Sequence, residues 1–103
     1  MNKQCLKSSD FVIQDKGVAN MKTITIGFEK NKYPEETETL ISEIKEHFNV
    51  IEDDERSYLR FITINAKHIT FISSPIMIQL IDNNVGKTIS FHKHLAFNVS
   101  IDL

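Results

Sequence analysis

The sequence predicts an α+β fold in which a single helix packs on a four- or five-stranded, mainly antiparallel sheet. Two observations carry this prediction. Residues 89–103 alternate between apolar and polar side chains, which is the period of a half-buried strand, and residues 34–48 place apolar side chains at helical spacing. The other apolar segments are short and are separated by polar turns, which indicates the order β-α-β-β-β-β and a meander with the helix on one face.

The C-terminal segment, residues 89–103, has the clearest period. Seven of its eight odd-numbered positions are apolar: Ile89, Phe91, Leu95, Phe97, Val99, Ile101 and Leu103. At about 3.3 Å per residue this segment is longer than a typical strand, so we expect a bend near His92, Lys93 and His94. Residues 95–103 carry no inward charge or proline that would protect an edge, so we also expect a homodimer, formed by edge pairing or by packing of uncovered apolar surface.

The preceding segments complete the sheet and supply the helix. Residues 23–28 alternate like a strand with one buried face, residues 57–64 are apolar on both faces like a central strand, and residues 68–72 predict a returning strand. Pro34 suits the first helical position, the acids after it favour a helix N-terminus, and Asn49 is the predicted C-cap. Residues 52–55 are expected to form an acidic loop.

Residues 74–86 are compatible with two structures. Ser74 and Pro75 suit the N-cap and first position of a short buried helix that would end at Gly86. Residues 76–81 instead alternate like a strand, and residues 82–86 suit a hairpin loop. We predict the hairpin.

Residues 69–74, Ile-Thr-Phe-Ile-Ser-Ser, resemble the segment that carries the phosphorylated serine in STAS domains of anti-sigma-factor antagonists. Ser74 takes the position of the phosphoserine. The chain departs from that pattern at Ser73, where the family has Asp, and at Pro75. The resemblance implies an alternative function, a STAS-like regulatory domain with Ser74 as its switch.

One domain is expected, because 103 residues can bury one modest core, which we place in residues 21–103. Residues 1–20 form an N-terminal extension. Residues 11–13 suit a short added strand, but Met21 is an alternative natural start, in which case the extension is not native.

No apolar run approaches the roughly 18 residues of a membrane span, so we expect a cytoplasmic protein that does not enter membranes.

Amino-acid usage indicates AT-rich codons, because the chain has fifteen Ile against three Ala and ten Lys against two Arg. This usage predicts a source such as a low-GC bacterium, or a phage or mobile element of one. The single cysteine, Cys5, excludes an internal disulfide.

Charge is distributed unevenly along the chain. The net charge is −2, but residues 35–55 contain nine acids and a single basic residue, Lys45. Such a stretch creates an electrostatic field that guides a basic partner. The sequence has no cluster of basic residues of the kind that binds nucleic acid directly. We predict a protein partner with a basic surface, contacted by Glu35, Glu36, Glu38, Glu43, Glu46, Glu52, Asp53, Asp54 and Glu55.

The sequence contains no recognisable set of catalytic residues. No nucleophile, base and oxyanion set is recognisable, so we predict a protein that is not an enzyme and needs no cofactor. The alternative is a metal-binding protein or metal-dependent enzyme using His92 and His94, which on one strand would leave the same face. The preferred hypothesis is a small protein-binding module, for example a phage or mobile-element inhibitor that docks its acidic surface on a nucleic-acid-handling protein.

Overall fold

Nine strands and one α-helix make up the described part of the chain. The computed structural model describes the backbone of residues 3–6, 11–13, 21–53 and 58–102, and the side chains of residues 21–52 and 58–102. The elements are β1 (Lys3–Leu6), β2 (Phe11–Ile13), β3 (Lys22–Glu29), α1 (Pro34–His47), β4 (Asn49–Asp53), β5 (Leu59–Ala66), β6 (Ile69–Ser73), β7 (Met77–Asp82), β8 (Lys87–His92) and β9 (Asn98–Asp102). A 3₁₀ turn at Lys93–Leu95 joins β8 to β9.

The strands form two antiparallel sheets. The five-stranded sheet has the order β1-β9-β3-β5-β4, and the four-stranded sheet has the order β2-β6-β7-β8. The predicted α+β class, with one helix packed on mainly antiparallel strands, is confirmed. The structure differs in dividing the strands between two sheets, because an alternating pattern specifies a buried face but not the neighbouring strand.

The predicted bend in the C-terminal segment is the point at which the chain changes sheets. Strand β8 ends at His92, the 3₁₀ turn follows, and β9 enters the other sheet between β1 and β3. Because β9 has a partner on both sides, the described residues Asn98–Asp102 do not form the exposed edge that was expected in this segment, and edge pairing there is not a basis for dimerisation. Phe97, expected on the buried face, is 57% exposed in the connection before β9.

The hairpin predicted within residues 74–86 is confirmed. Strands β7 and β8 pair from Met77 with His92 to Asp82 with Lys87. The loop between them closes at Gly86, whose φ of 75° lies in the left-handed region that glycine adopts without steric cost. The alternative helix over these residues is therefore not formed.

Strand β4 replaces part of the predicted acidic loop. Helix α1 ends at His47, and Phe48 is its C-cap, with an N–H that donates to the Ile44 carbonyl at 2.9 Å. Asn49, the predicted C-cap, is instead the first residue of β4. Glu52 was expected in a solvated loop, but it lies in β4. The strand was missed because it has only two apolar residues in succession, Val50 and Ile51, and the acids after them indicated a loop. The segment pairs with β5.

The first twenty residues contribute backbone to both sheets in the parts that are described. Strand β1 pairs with β9, from Lys3 opposite Asp102 to Leu6 opposite Val99. Strand β2 pairs with β6, at the residues that suit a short added strand in the sequence. No helix in the described part of the chain has the length and apolar character that a bilayer crossing needs.

The core lies between the two sheets and beneath α1. The helix contacts β4 and β8, which are edge strands of different sheets, and so it closes one side of the space between them. Burying this apolar surface is the main source of stability for such a fold. The buried cluster consists of Ile24, Ile26, Phe28, Leu40, Ile41, Ile44, Ile62, Ile64, Ile69, Phe71, Ile78, Leu80, Ile89, Phe91, Val99 and Ile101.

Candidate functional site

The predicted acidic surface is only partly described by the structure. Five of the acids lie on α1, where Glu43 is half-buried and Glu35, Glu36, Glu38 and Glu46 are exposed. Glu52 is exposed on β4. For Asp53 only the backbone is described, and Asp54 and Glu55 lie outside the described residues.

Three of these acids are neutralised within the chain. Glu52 contacts both Lys45 and Arg60, and Glu38 contacts the other side of the Arg60 guanidinium. Glu43 lies 3.7 Å from Lys87 Nζ on β8. The charge available to a partner is therefore smaller than the nine acids in the sequence suggest.

Hydrogen bonds shift the pKa values of the paired residues Glu52 and Arg60. The bond from Lys45, followed by that from Arg60, holds the pKa of Glu52 below its usual range. Burial of Arg60 opposes its charged form, but the bonds to Glu52 and Glu38 outweigh this effect and raise its pKa. Glu52 and Arg60 are therefore both charged at neutral pH, and their ion pair persists.

The remaining helix acids carry unpaired charge. None of the ion pairs in the described part of the chain involves Glu35, Glu36 or Glu46. Glu35 and Glu36 occupy the first turn of α1, where their charge also favours the helix dipole. Among the described residues, these two carboxylates have no ion pair that an external cation would have to break.

Glu35 and Glu36 border a groove of about 410 Å³ between α1 and the end of β8, which we call the α1–β8 groove. Its floor is apolar and includes Leu40 and Phe91, with Leu95 from the 3₁₀ turn. Positions 36, 40 and 43 recur at helical spacing, which places the acids and the floor on one face of α1. The polar lining consists of Glu35, Glu36, Thr39, Glu43, Ser90 and His92.

Arg60 marks a second depression, which sequence analysis missed and which we call the Arg60 cleft. It has a volume of about 430 Å³ and lies between the start of α1 and strands β3, β4 and β5. Arg60 was identifiable in principle, because it shares the parity of Ile62 and Ile64 and therefore takes a core-facing position at the end of β5. The lining consists of Phe28, Lys30, Pro34, Thr37, Glu38, Glu52 and Arg60.

The two histidines of the alternative metal site stack on each other. Their ring centroids are 5.3 Å apart with 26° between the ring planes, and His94 lies in the 3₁₀ turn rather than on the strand that carries His92. The His94 ring meets the ring of Tyr33 edge-on at 4.9 Å. Within the described residues no group of three or more His, Cys, Asp or Glu side chains is arranged to hold a metal.

Ser74, the residue that resembles the STAS phosphoserine, organises a turn between two strands. Its hydroxyl oxygen accepts hydrogen bonds from the N–H groups of Ile76 at 3.3 Å and Met77 at 3.0 Å. The following element is β7, so Ser74 does not stand at the N-terminus of a helix.

The chain was compared with protein-family models, with curated proteins and with solved structures, and no significant match was found in any of the three comparisons.

Proposed function

We propose that this chain is a small, non-catalytic protein-binding module that holds a basic segment of a partner protein in the α1–β8 groove. The observation that carries this proposal is the combination of an apolar floor with an acidic rim in one groove. Interfaces obtain much of their affinity from an apolar centre, whereas charges at the rim mainly accelerate association and select the partner.

The ion pairs within the chain favour the groove over the rest of the acidic surface as the binding site. Glu35 and Glu36 make no ion pair among the described residues, whereas Glu38 and Glu52 are occupied by Arg60. A cationic side chain entering the groove therefore gains an attraction without displacing an existing one. A segment with one apolar side chain flanked by lysine or arginine matches this arrangement.

A nucleic-acid-handling protein is the preferred partner, because proteins that neutralise phosphates concentrate basic residues on one surface. Occupation of that surface would inhibit nucleic-acid binding. An inhibitor encoded by a phage or mobile element agrees with the small size and the AT-rich codon usage inferred from the sequence. In this proposal the chain itself does not contact nucleic acid.

The test compares two charge reversals on the same helix. The double variant Glu35→Lys, Glu36→Lys changes the rim of the groove, and Glu46→Lys changes an exposed acid that is not part of its lining. Partners captured from a host lysate by the wild-type chain are purified, and their affinities are measured at two salt concentrations. We expect the rim variant to lose at least about tenfold in affinity and the Glu46 variant to retain it.

Added salt should weaken the wild-type complex, because exposed charges are screened over about 8 Å at physiological ionic strength. A partner that binds both variants equally and is indifferent to salt would show that the groove is not the binding site. Competition with a nucleic acid for the captured partner then tests the inhibitor hypothesis separately.

A further inference from the structure

The Arg60 cleft shares no lining residue with the α1–β8 groove and is independent of the function proposed for it. We propose that this cleft binds a small organic monocarboxylate, and that the Glu38 side chain occupies the position of the ligand carboxylate in the free protein.

Arg60 is held in a fixed orientation by Glu52, and its guanidinium also contacts the exposed Glu38. Its Nε and Nη2 atoms donate to the same Glu52 oxygen at 3.1 and 2.6 Å, and its side chain is 20% exposed. The remaining contact, through Nη1, goes to Glu38. An arginine positioned by one carboxylate is preorganised to bind a second, because the guanidinium presents its donors in a rigid fork.

Glu38 is suited to exchange with a ligand. Its side chain is 63% exposed, in contrast to 32% for Glu52. An exposed ion pair contributes little to stability, so release of Glu38 into solvent is readily offset by a new contact. A monocarboxylate would replace Glu38 with no change in the local charge, whereas a phosphate dianion would add negative charge beside Glu52.

Thr37 provides an independent indication of a missing partner. The residue is 4% exposed, and its hydroxyl oxygen has no hydrogen-bond partner within the described part of the chain. A buried hydroxyl without a partner is unfavourable, and few remain in folded proteins. Thr37 and Arg60 both line the cleft, so a ligand bound to Arg60 would lie in the same cleft as Thr37.

The rest of the lining limits the size and charge of the ligand. Pro34 gives the cleft an exposed apolar side at the start of α1, Phe28 is fully buried, and Lys30 is a second basic residue in the lining. A volume of about 430 Å³ falls within the range of sites for small molecules. A small monocarboxylate therefore matches the size and charge of the cleft.

Sodium phenylacetate is the probe for the test, and phenylacetamide is its neutral control of the same shape. Amide resonances of the isotopically labelled full chain are followed during titration with each compound and with inorganic phosphate. We expect phenylacetate to shift the amides of Phe28, Lys30 and Thr37 saturably with a Kd of about 1 mM, a value ordinary for a ligand of this size. Phenylacetamide and phosphate should bind at least about tenfold more weakly.

Two conservative substitutions should act in opposite directions. Thr37→Val removes the hydroxyl while keeping the shape, and we expect about fivefold weaker binding of phenylacetate. Glu38→Gln weakens the internal competitor, and we expect about threefold tighter binding. A merely structural role for these residues would not produce opposite signs.

The proposal fails if neither phenylacetate nor benzoate produces saturable shifts at about 20 mM, a concentration well above the expected Kd. It also fails if phosphate or phenylacetamide binds as tightly as phenylacetate, or if Glu38→Gln does not tighten binding. Cooperative thermal unfolding of each variant establishes that it is folded. If Thr37→Val does not fold, the Glu38→Gln comparison decides.

Discussion

Arg60 on β5 and Glu52 on β4 form a two-point contact at a core-facing position, with Arg60 Nε and Nη2 at 3.1 and 2.6 Å from one Glu52 oxygen. Arg60 is opposite the buried Phe28 in the register, and Glu52 is opposite the buried Ile62. The Arg60 side chain is 20% exposed and that of Glu52 is 32% exposed, so the pair is partly shielded from solvent. Loss of Glu52 should therefore be more harmful than loss of an unpaired surface charge.

The pairing of Glu52 predicts a specific loss of stability in acid. Because its pKa is lower in the folded chain than in the unfolded chain, the contribution of Glu52 is fully present above the usual carboxyl pKa. That contribution disappears as the pH falls through the lowered value. Glu52→Gln should lower the free energy of unfolding by up to about 1 kcal/mol at pH 7 and remove part of its decline below about pH 5.

Urea denaturation between about pH 3 and 7 measures this effect. Glu46→Gln is the matched control, because Glu46 makes no ion pair among the described residues. Since other carboxylates also titrate, the difference between the variants and wild type is the relevant quantity. Parallel curves for wild type and Glu52→Gln would contradict the prediction.

Gly27 is required by the close approach of the Phe61 ring. The two residues are opposite each other on β3 and β5, and a Cβ atom at position 27 would lie 2.7 Å from Phe61 Cε1. Gly27→Ala should therefore reduce stability by about 1–3 kcal/mol through overpacking. In a Phe61→Leu background the same substitution should cost less, and a double-mutant cycle from chemical denaturation measures the coupling. An equal cost in both backgrounds would exclude this cause.

Deletion of residues 1–20 should leave a cooperative thermal transition. The core cluster of described side chains runs from Ile24 to Ile101, within residues 21–103. The midpoint should nevertheless fall, because loss of β1 and β2 exposes the edges of β9 and β6. Calorimetry of the 21–103 fragment checks both expectations, and loss of the transition would show that the extension is integral to the domain.

Zinc should not bind stoichiometrically at submicromolar concentration. His92 and His94 stack on each other, and the described residues supply no third ligand within a metal-binding group. Two imidazoles leave a zinc ion short of the four ligands that it normally takes. Titration calorimetry with zinc and cobalt tests this, and tight binding abolished by His92→Ala would instead support the metal-dependent alternative.

Self-association remains a prediction, and the structure moves its expected location to β4. This strand is at the edge of the five-stranded sheet, and its Ile51 side chain is 57% exposed. Ile51→Lys should convert a dimer into a monomer, because a charge on an edge strand opposes pairing. Ile76→Lys is the control, since Ile76 is 67% exposed in the turn before β7. Light scattering that finds only an 11.9 kDa wild-type chain at high concentration would refute dimerisation.

The elements with strong local patterns were predictable from the sequence. The alternation of residues 23–28 specified β3, Pro34 and the following acids specified the start of α1, and Gly86 specified the closing of the β7–β8 hairpin. In each case neighbouring residues determine the backbone conformation. Strand β4 escaped because its sequence combines two apolar residues with acids, and neither strand nor loop is favoured locally.

The sequence by itself determined the α+β class, the position of the helix and the buried parity of the main strands. Only the tertiary structure decided that the strands form two sheets, that β9 lies between β1 and β3, and that Arg60 binds Glu38 and Glu52. The physical reason is that periodicity records which face of a strand is buried, whereas partners in a sheet or an ion pair depend on contacts between distant segments. The pairing of Glu38 and Glu52 with Arg60 and of Glu43 with Lys87, which leaves Glu35 and Glu36 without an ion pair among the described residues, depends on such contacts.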